Sequence, residues 1–438
     1  MNTCTTNPHC LRIPRRILWH RRLAGGSTGG TPVPRFGCGR RPRCDTRWVS
    51  IGLVWCLALG TTVHAEPRQD EMPPLPPELA ANAQKAIDRG LTFLQSTQDK
   101  DGGWTAMYGP AVTAIVAKAF AQDKDYGPRH PIVRRAVAYI LRYEQTDGGF
   151  YERRQNLANY QTSVVMMLLG SLDDPAYRPR IAKAQAFLKR LQYDANESVD
   201  AANPWYGGAG YNTAKRPDLS NTQMMLEALH ESGLPKDDPV YRRALAFVSR
   251  CQMYDPANDQ PFACGATDGG FIYTSHDGGE SKASEDLKDG QAPARSYGSM
   301  TYAGFKSMLY ADVSRDDPRI QACLRWIRNN WTLDHNPGMP HQRSHEGLYY
   351  YYQVFAKAMR AWGKPVITDA AGKPHRWRVE LCRKLISLQK SDGSWINDRD
   401  RWLEGDGNYI TALTISTLQT AMNQQRPLQV EQTKPRSE

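Results

Sequence analysis

Two short stretches concentrate the side chains able to do chemistry. The first, Asp334 to Leu348, carries His335, His341, His345 and Glu346 among Pro337, Gly338 and Pro340. On a helical turn His341 and His345 would face each other and, with Glu346, make an acid–base pair or a metal site. The prolines and glycine oppose a helix there, so plain loop histidines remain an open reading. No separation matches a recognised ligand code, and no metal or cofactor is expected. The second stretch, Pro217-Asp218-Leu219-Ser220-Asn221-Thr222, sets an acid at the head of an apolar segment containing Met224, Met225 and Leu229. Asp218 is either a strained acid or the cap of that segment's helix, because a carboxylate accepts the free N–H groups of a first turn. Asp218, His345 and Glu346 are the candidate catalytic residues.

Aromatic residues form the candidate binding set. Tyr349 to Tyr352 are consecutive, and in a helix they cannot all face one side, so some point to an interior space. With Trp205, Tyr206, Tyr297, Tyr302 and Tyr409, and the polar pair Ser220 and Asn221, they suit an isoprenoid, a cation or a sugar face. A packed core would use them too.

A recurring block must position these residues. Arg89-Gly90, Phe93-Leu94 and Gln98 are followed by Asp101-Gly102-Gly103-Trp104, and Arg135-Ala136, Tyr139-Ile140 and Glu144 by Asp147-Gly148-Gly149-Phe150. Further copies start at Lys183 and Arg243, and two worn ones centre on Trp326-Ile327 and on Leu385 with Asp392-Gly393-Ser394-Trp395. Repeats at this spacing indicate one supersecondary unit stacked on itself. Each block has an amphipathic first helix, a glycine turn and a second helix apolar on most faces, which predicts an inner ring of helices inside an outer one. Asp-Asp-Pro at 173–175, 237–239 and 316–318 announces three first helices. Insertions at Tyr193–Pro217 and Phe271–Ser296 interrupt the third and fourth blocks; the latter holds Asp277, Glu280, Glu285, Asp286 and Asp289.

The block resembles the QW repeat of squalene–hopene and oxidosqualene cyclases, shared in looser form with protein prenyltransferase β subunits, over about residues 85 to 420. The resemblance implies an all-α (α/α)6 toroid of six helical hairpins. It also implies, for a working class II cyclase, an Asp-x-Asp-Asp-Thr motif whose middle Asp protonates an alkene. Here Asp218 and Thr222 match, but the donor position is Ser220 and its neighbour Asn221; a serine hydroxyl is far too weak an acid for that step. A zinc prenyltransferase would need Asp and Cys where Tyr297 and Ser299 stand, and a His near Tyr409-Ile410-Thr411. Neither motif is intact.

Charge narrows the partners. The formal net charge is +11, but residues 1–65 contain ten arginines and one acid, leaving the rest nearly neutral. A basic nucleic-acid-binding body is excluded. Val49 to Val63 is an apolar stretch ending in Val63-His64-Ala65, read as a cleaved export signal in residues 1–65, too short for a membrane span. Membrane contact would arise only if that signal stayed uncleaved. Residues 66–77 read as a Pro-rich linker, 78–423 as the toroid and 424–438 as a polar tail. In an oxidising compartment Cys251 and Cys264 are candidates for a bridge, whereas Cys323 and Cys382 read as buried apolar positions.

The expectation is an exported, periplasmic or secreted, toroid that binds, and in one form modifies, an apolar isoprenoid-like ligand in an aromatic central cavity. Two other classes are open: a scaffold or binding module for protein or polysaccharide, and a lyase or hydrolase built from Asp218, His345 and Glu346. An open apolar pocket would favour the first class, a filled one the second and a polar His–acid cleft the third.

Overall fold

The computed structural model describes residues 72–195, 199–212, 216–284 and 294–424. The proposed signal, residues 66–71 of the linker, all of the tail after Gln424, and Glu285, Asp286 and Asp289 lie outside them.

Among the described residues, twelve α-helices alternate between two rings. The inner helices are α2 (Ala111–Gln122), α4 (Ala158–Ser171), α6 (Leu219–Glu231), α8 (Gly298–Tyr310), α10 (Leu348–Trp362) and α12 (Gly407–Met422). Each packs on the next, and α12 packs on α2, so the ring closes. The outer helices are α1 (Pro77–Ser96), α3 (Pro131–Leu141), α5 (Arg178–Arg190), α7 (Pro239–Arg250), α9 (Pro318–Asn329) and α11 (Trp377–Ser387). Each outer helix packs on an inner helix adjacent to it in the ring, as α3 does on α2, α9 on α8 and α11 on α12, which makes an (α/α)6 toroid. A two-residue hairpin, β1 (Ile367–Thr368) with antiparallel β2 (Pro374–His375), precedes α11.

Burial explains the alternation. On α4 nearly every residue from Ala158 to Ser171 is buried, whereas α7 buries a single stripe through Val240, Tyr241, Ala244, Phe247 and Val248. A helix apolar all round belongs inside, and a striped one faces water on its other side. Asp238 and Asp317 accept the N–H of Val240 (3.0 Å) and Arg319 (2.9 Å), capping α7 and α9, while Asp174 caps a short turn ahead of α5.

The glycine turns join adjacent hairpins. Gly393 sits at φ +90°, and a Cβ there would lie 2.6 Å from the Arg89 carbonyl oxygen on α1, so only glycine lets the last repeat meet the first. Gln389 spans the same joint, donating to the carbonyls of Gly393 (2.9 Å) and Ala86 (2.8 Å). Gln98, Gln192 and Gln252 do the same at three other joints. The aromatic after each turn is buried outright at Trp104, Phe150, Phe271 and Trp395. Its backbone N–H donates to a threonine of the inner helix, as in Trp104 to Thr113 (3.0 Å) and Trp395 to Thr411 (3.0 Å).

The bridge considered for Cys251 and Cys264 is not formed: both thiols are free, Cys251 buried behind α7 and Cys264 exposed. Cys323 and Cys382 are buried.

Candidate functional site

The N-terminal ends of the inner helices surround a cavity of about 310 Å³, at the lower end of the roughly 300–1,000 Å³ typical of small-molecule sites. Seven tyrosines line it. Tyr108 comes from the turn before α2, Tyr160 from α4, Tyr297 from the cap of α8, Tyr350 from α10 and Tyr409 from α12, while the two insertions supply Tyr211 and Tyr273. Ala111, Val112, Leu157, Met300 and Leu403 add aliphatic surface, and Ser220, Asn221 and Ser299 add small polar groups.

Local sequence sets these positions. Asp218 caps α6: one carboxylate oxygen accepts the Asn221 N–H (2.8 Å) and the other the Asn221 side-chain amide (2.8 Å). Burial pushes its pKa up to about 6, against the opposing hydrogen bonds from Asn221 and the Tyr273 hydroxyl. Ser220 Oγ and Tyr350 OH lie 3.0 Å apart, and Gln223 Nε2 donates to that same hydroxyl (3.1 Å). Tyr160 and Tyr409 hydroxyls meet at 3.4 Å. Burial raises the pKa of Tyr350 and Tyr409 as well, so these hydroxyls are neutral hydrogen-bonding groups at ordinary pH.

One lip of the cavity is held in an uncommon conformation. Trp402 (φ +56°) and Leu403 (φ +68°) both sit in the left-handed region, and Trp402 is 44% exposed. Such residues cost of order 1–3 kcal/mol each and persist where neighbours fix them. Here the neighbour is Glu404, which accepts the N–H groups of Tyr349 (3.3 Å) and Tyr350 (2.8 Å) at the head of α10 and the Asn397 amide (2.6 Å). Burial lifts the Glu404 pKa to about 7 despite those donors.

Five of the sequence-proposed ligand residues, Ser220, Asn221, Tyr297, Tyr350 and Tyr409, line this cavity. Tyr302 instead packs edge-on against Phe355 (5.0 Å between ring centres), and Tyr349 against Tyr352 (5.8 Å), both in the core. Trp205 lies in the third-block insertion, where its indole N–H donates to His276 (2.9 Å), and Tyr206 is half-buried beside it; neither lines the cavity. The three candidate catalytic residues are not gathered around this space. Asp218 borders a polar annex beside it, of about 460 Å³. His345 is exposed, with its carbonyl accepting from Asn397 (2.7 Å). Glu346 is gripped by Arg343 (2.9 Å) and Arg401 (2.7 Å); burial alone would raise its pKa, but the two guanidiniums hold it below the usual range. The His341 segment forms one short turn, not a helix presenting two imidazoles. Sequence reasoning passed over Tyr160, Tyr211, Tyr273, Lys282 and Trp402; four of these sit in insertions or loops where no periodicity marks an inward face.

No known protein-family profile matches the chain. Over 191 residues it is 25% identical to a probable squalene–hopene cyclase of Sinorhizobium fredii, covering 38% of this chain. The chain spans 29% of that relative's length. Among solved structures it is similar to a type II terpene cyclase from Scytonema, in complex with the product merosterolic acid A, at 13% identity and a TM-score of 0.48 over 80% of this chain and 100% of that one. It is also similar to a D-mannose isomerase, at 10% identity and a TM-score of 0.47 over 78% and 97% of the two chains. The α/α toroid rests on the closed double ring of helices itself, and each of these proteins is one that the chain is similar to over the lengths given.

Proposed function

We propose that this protein binds an apolar, isoprenoid-type ligand in the tyrosine-lined cavity at the N-terminal ends of its inner helices. The observation that carries this reading is the cavity itself: open space inside a closed ring, walled mainly by aromatic rings and aliphatic groups, with hydroxyls at a few points. A scaffold would have no need of that space. A lyase or hydrolase resting on His345 and Glu346 is disfavoured, because neither residue faces it. Cyclisation by alkene protonation at the family's acid position is also disfavoured, since Ser220 there is engaged with Tyr350. Export through residues 1–65, with 66–77 as linker and 424–438 as tail, belongs to the same proposal and rests on the apolar stretch Val49 to Val63.

The test is native mass spectrometry of the full chain produced in a bacterial host and recovered from its exported fraction, followed by titration with geranylgeraniol monitored by tyrosine and tryptophan fluorescence. A co-purifying isoprenoid, or saturable binding of the alcohol at micromolar concentration, is the expected result. An empty protein that leaves geranylgeraniol unbound would overturn the reading.

A further inference from the structure

The same arginine recurs at the C-terminal end of three outer helices, and one copy of it lacks its acid. Arg142 after α3, Arg190 of α5 and Arg250 of α7 each stand three residues beyond the aromatic of their block, Tyr139, Phe187 and Phe247. Arg142 bonds Asp101 of the preceding glycine turn (3.0 Å) and lies 4.4 Å from the centre of the Tyr139 ring. Arg250 is buried and bonds Asp259 (2.7 Å). Arg190 is exposed, stands 5.9 Å from the Phe187 ring and meets no carboxylate among the described residues; it donates only to the Asp147 backbone carbonyl (2.6 Å).

The acid that should answer Arg190 has been taken. Asp147 is the counterpart of Asp101, and each accepts the N–H of the second turn glycine, Gly149 (2.9 Å) or Gly103 (3.2 Å). The other oxygen of Asp101 receives Arg142, whereas that of Asp147 receives the Tyr151 hydroxyl (2.7 Å). A tyrosine here belongs to this joint alone, since Thr105, Ile272 and Ile396 follow the turn aromatic elsewhere.

The guanidinium left over borders a surface pocket of about 330 Å³. Tyr151 and Phe187 give the pocket an aromatic wall, their rings stacked at 5.6 Å, and the bond to Asp147 fixes the outer ring. Arg153 lines it as well: its Nε donates to Gln145 (2.8 Å), and its two terminal amino groups have no partner among the described residues. Asn156 adds an exposed side-chain amide. The face around it repeats the charge bias, with two arginines on α3, five cations on α5 and no acid on either helix.

Two features select the ligand. Guanidiniums donate parallel N–H bonds to both oxygens of a carboxylate, the group that the first joint itself places there. A fixed aromatic wall rimmed by planar polar groups suits a pyranose, whose C–H face lies against the electron-rich rings while its hydroxyls reach the amide. We propose that this pocket binds an acidic carbohydrate, a uronate whose carboxylate meets Arg190 and Arg153 and whose ring rests on Tyr151 and Phe187. The pocket shares no lining residue with the tyrosine-lined cavity, so the two readings stand or fall separately.

Short oligomers of galacturonate, of mannuronate and of the glucuronate–N-acetylglucosamine repeat are titrated calorimetrically into the full chain, each beside its methyl ester, with polyglutamate and single-stranded DNA as sugar-acid-free polyanions. At least one uronate should bind with a Kd below about 1 mM and at least about tenfold tighter than its ester, polyglutamate and DNA. Arg190→Gln should abolish the preference for acid over ester. Tyr151→Phe keeps the wall but frees Asp147 to take Arg190, so it should weaken the acid at least about threefold and leave the ester unchanged. Arg134→Gln, an exposed arginine on α3 outside the pocket, should stay within about twofold of the parent. Circular dichroism confirms that each variant is folded. The site is overturned if no uronate binds, if ester, polyglutamate or DNA binds as tightly as the acid, or if Arg134→Gln costs as much as Arg190→Gln, which would leave only the general attraction of a basic face.

Discussion

The two ends of the inner ring are built on opposite principles. At the N-terminal end, the same six helices surround open space with tyrosine hydroxyls, serines and aliphatic groups. Toward the C-terminal end they close on charge: Lys306 and Lys357 both grip Glu227, and Lys118 (2.6 Å) and Lys357 (3.6 Å) reach Glu231. Tyr160, Tyr350 and Tyr409 separate the two, lining the cavity on one side and a void of about 30 Å³ on the other. The lesson is one of commitment. Charged partners buried against each other are fixed and leave nothing for a ligand, whereas neutral hydroxyls around a void tolerate its being empty or filled.

The largest effect should come from unbalancing the closed end. Glu227 is 2% exposed and serves two lysines, so Glu227→Gln strands buried cations and should cost about 3–5 kcal/mol. Lys306 has its pKa pressed down to about 7 by burial, and Lys357 falls well below its ordinary value for the same reason, so neither can hold a proton comfortably without that carboxylate. The measurement is the urea midpoint of the variant against the parent. A loss below about 1 kcal/mol would mean the cluster is not committed in this sense.

How much of this was legible in the sequence follows from what has a period. The alternation of striped and wholly apolar helices, and the glycine turns, repeat, and from them the ring could be drawn. The threonine that receives each turn's N–H could not: Thr113 follows Trp104 by nine residues and Thr411 follows Trp395 by sixteen, because the loops between differ in length. Within α10 the helical twist decides which tyrosine faces in. Tyr350 lines the cavity while its neighbour Tyr349 turns to the core, a step of about 100° that four identical residues in a row conceal. Arg216, Lys282 and Trp402 occupy irregular segments, where only the folded chain shows which way they point. The charge cluster has a different reason for being hidden. Lys118, Glu227, Glu231, Lys306 and Lys357 lie on four separate helices, and nothing local to any of them announces a partner.

A second effect concerns Asp218, a buried carboxyl at the open end. Its carboxyl releases a proton near pH 4 when unfolded and near pH 6 in the native state. Between those values the native protein holds more protons than the unfolded chain, so the group's contribution to stability is full in acid and lost as pH rises through about 6. Two units correspond to roughly 3 kcal/mol. Asp218→Asn keeps a capping oxygen and removes the titration, so denaturation midpoints taken at pH 4 and pH 7 should fall less with rising pH than in the parent. Glu404, raised to about 7 by burial, leaves a residual slope of the same sign. An unchanged slope in the variant would mean that Asp218 titrates as an exposed carboxyl does.

The smallest effect should come from Tyr350→Phe, which deletes the hydroxyl shared by Ser220 and Gln223 and leaves the cavity wall in place. A neutral hydrogen bond contributes about 0.5–1.5 kcal/mol net; Ser220 sits beside the cavity, where water can replace the lost partner, whereas Gln223 is fully buried and its amide is left without this acceptor. The stability read from urea denaturation should therefore fall by about 1–2 kcal/mol, less than for Glu227→Gln, although both residues lie within the same inner ring. Geranylgeraniol affinity is the sharper readout: a ligand lying among the tyrosines should bind the variant more weakly, because its alcohol end loses a hydrogen-bond partner at this hydroxyl. A stability loss comparable to that of Glu227→Gln would place the tyrosine septum with the fixed end of the ring, and the open cavity above it would then be a by-product of packing.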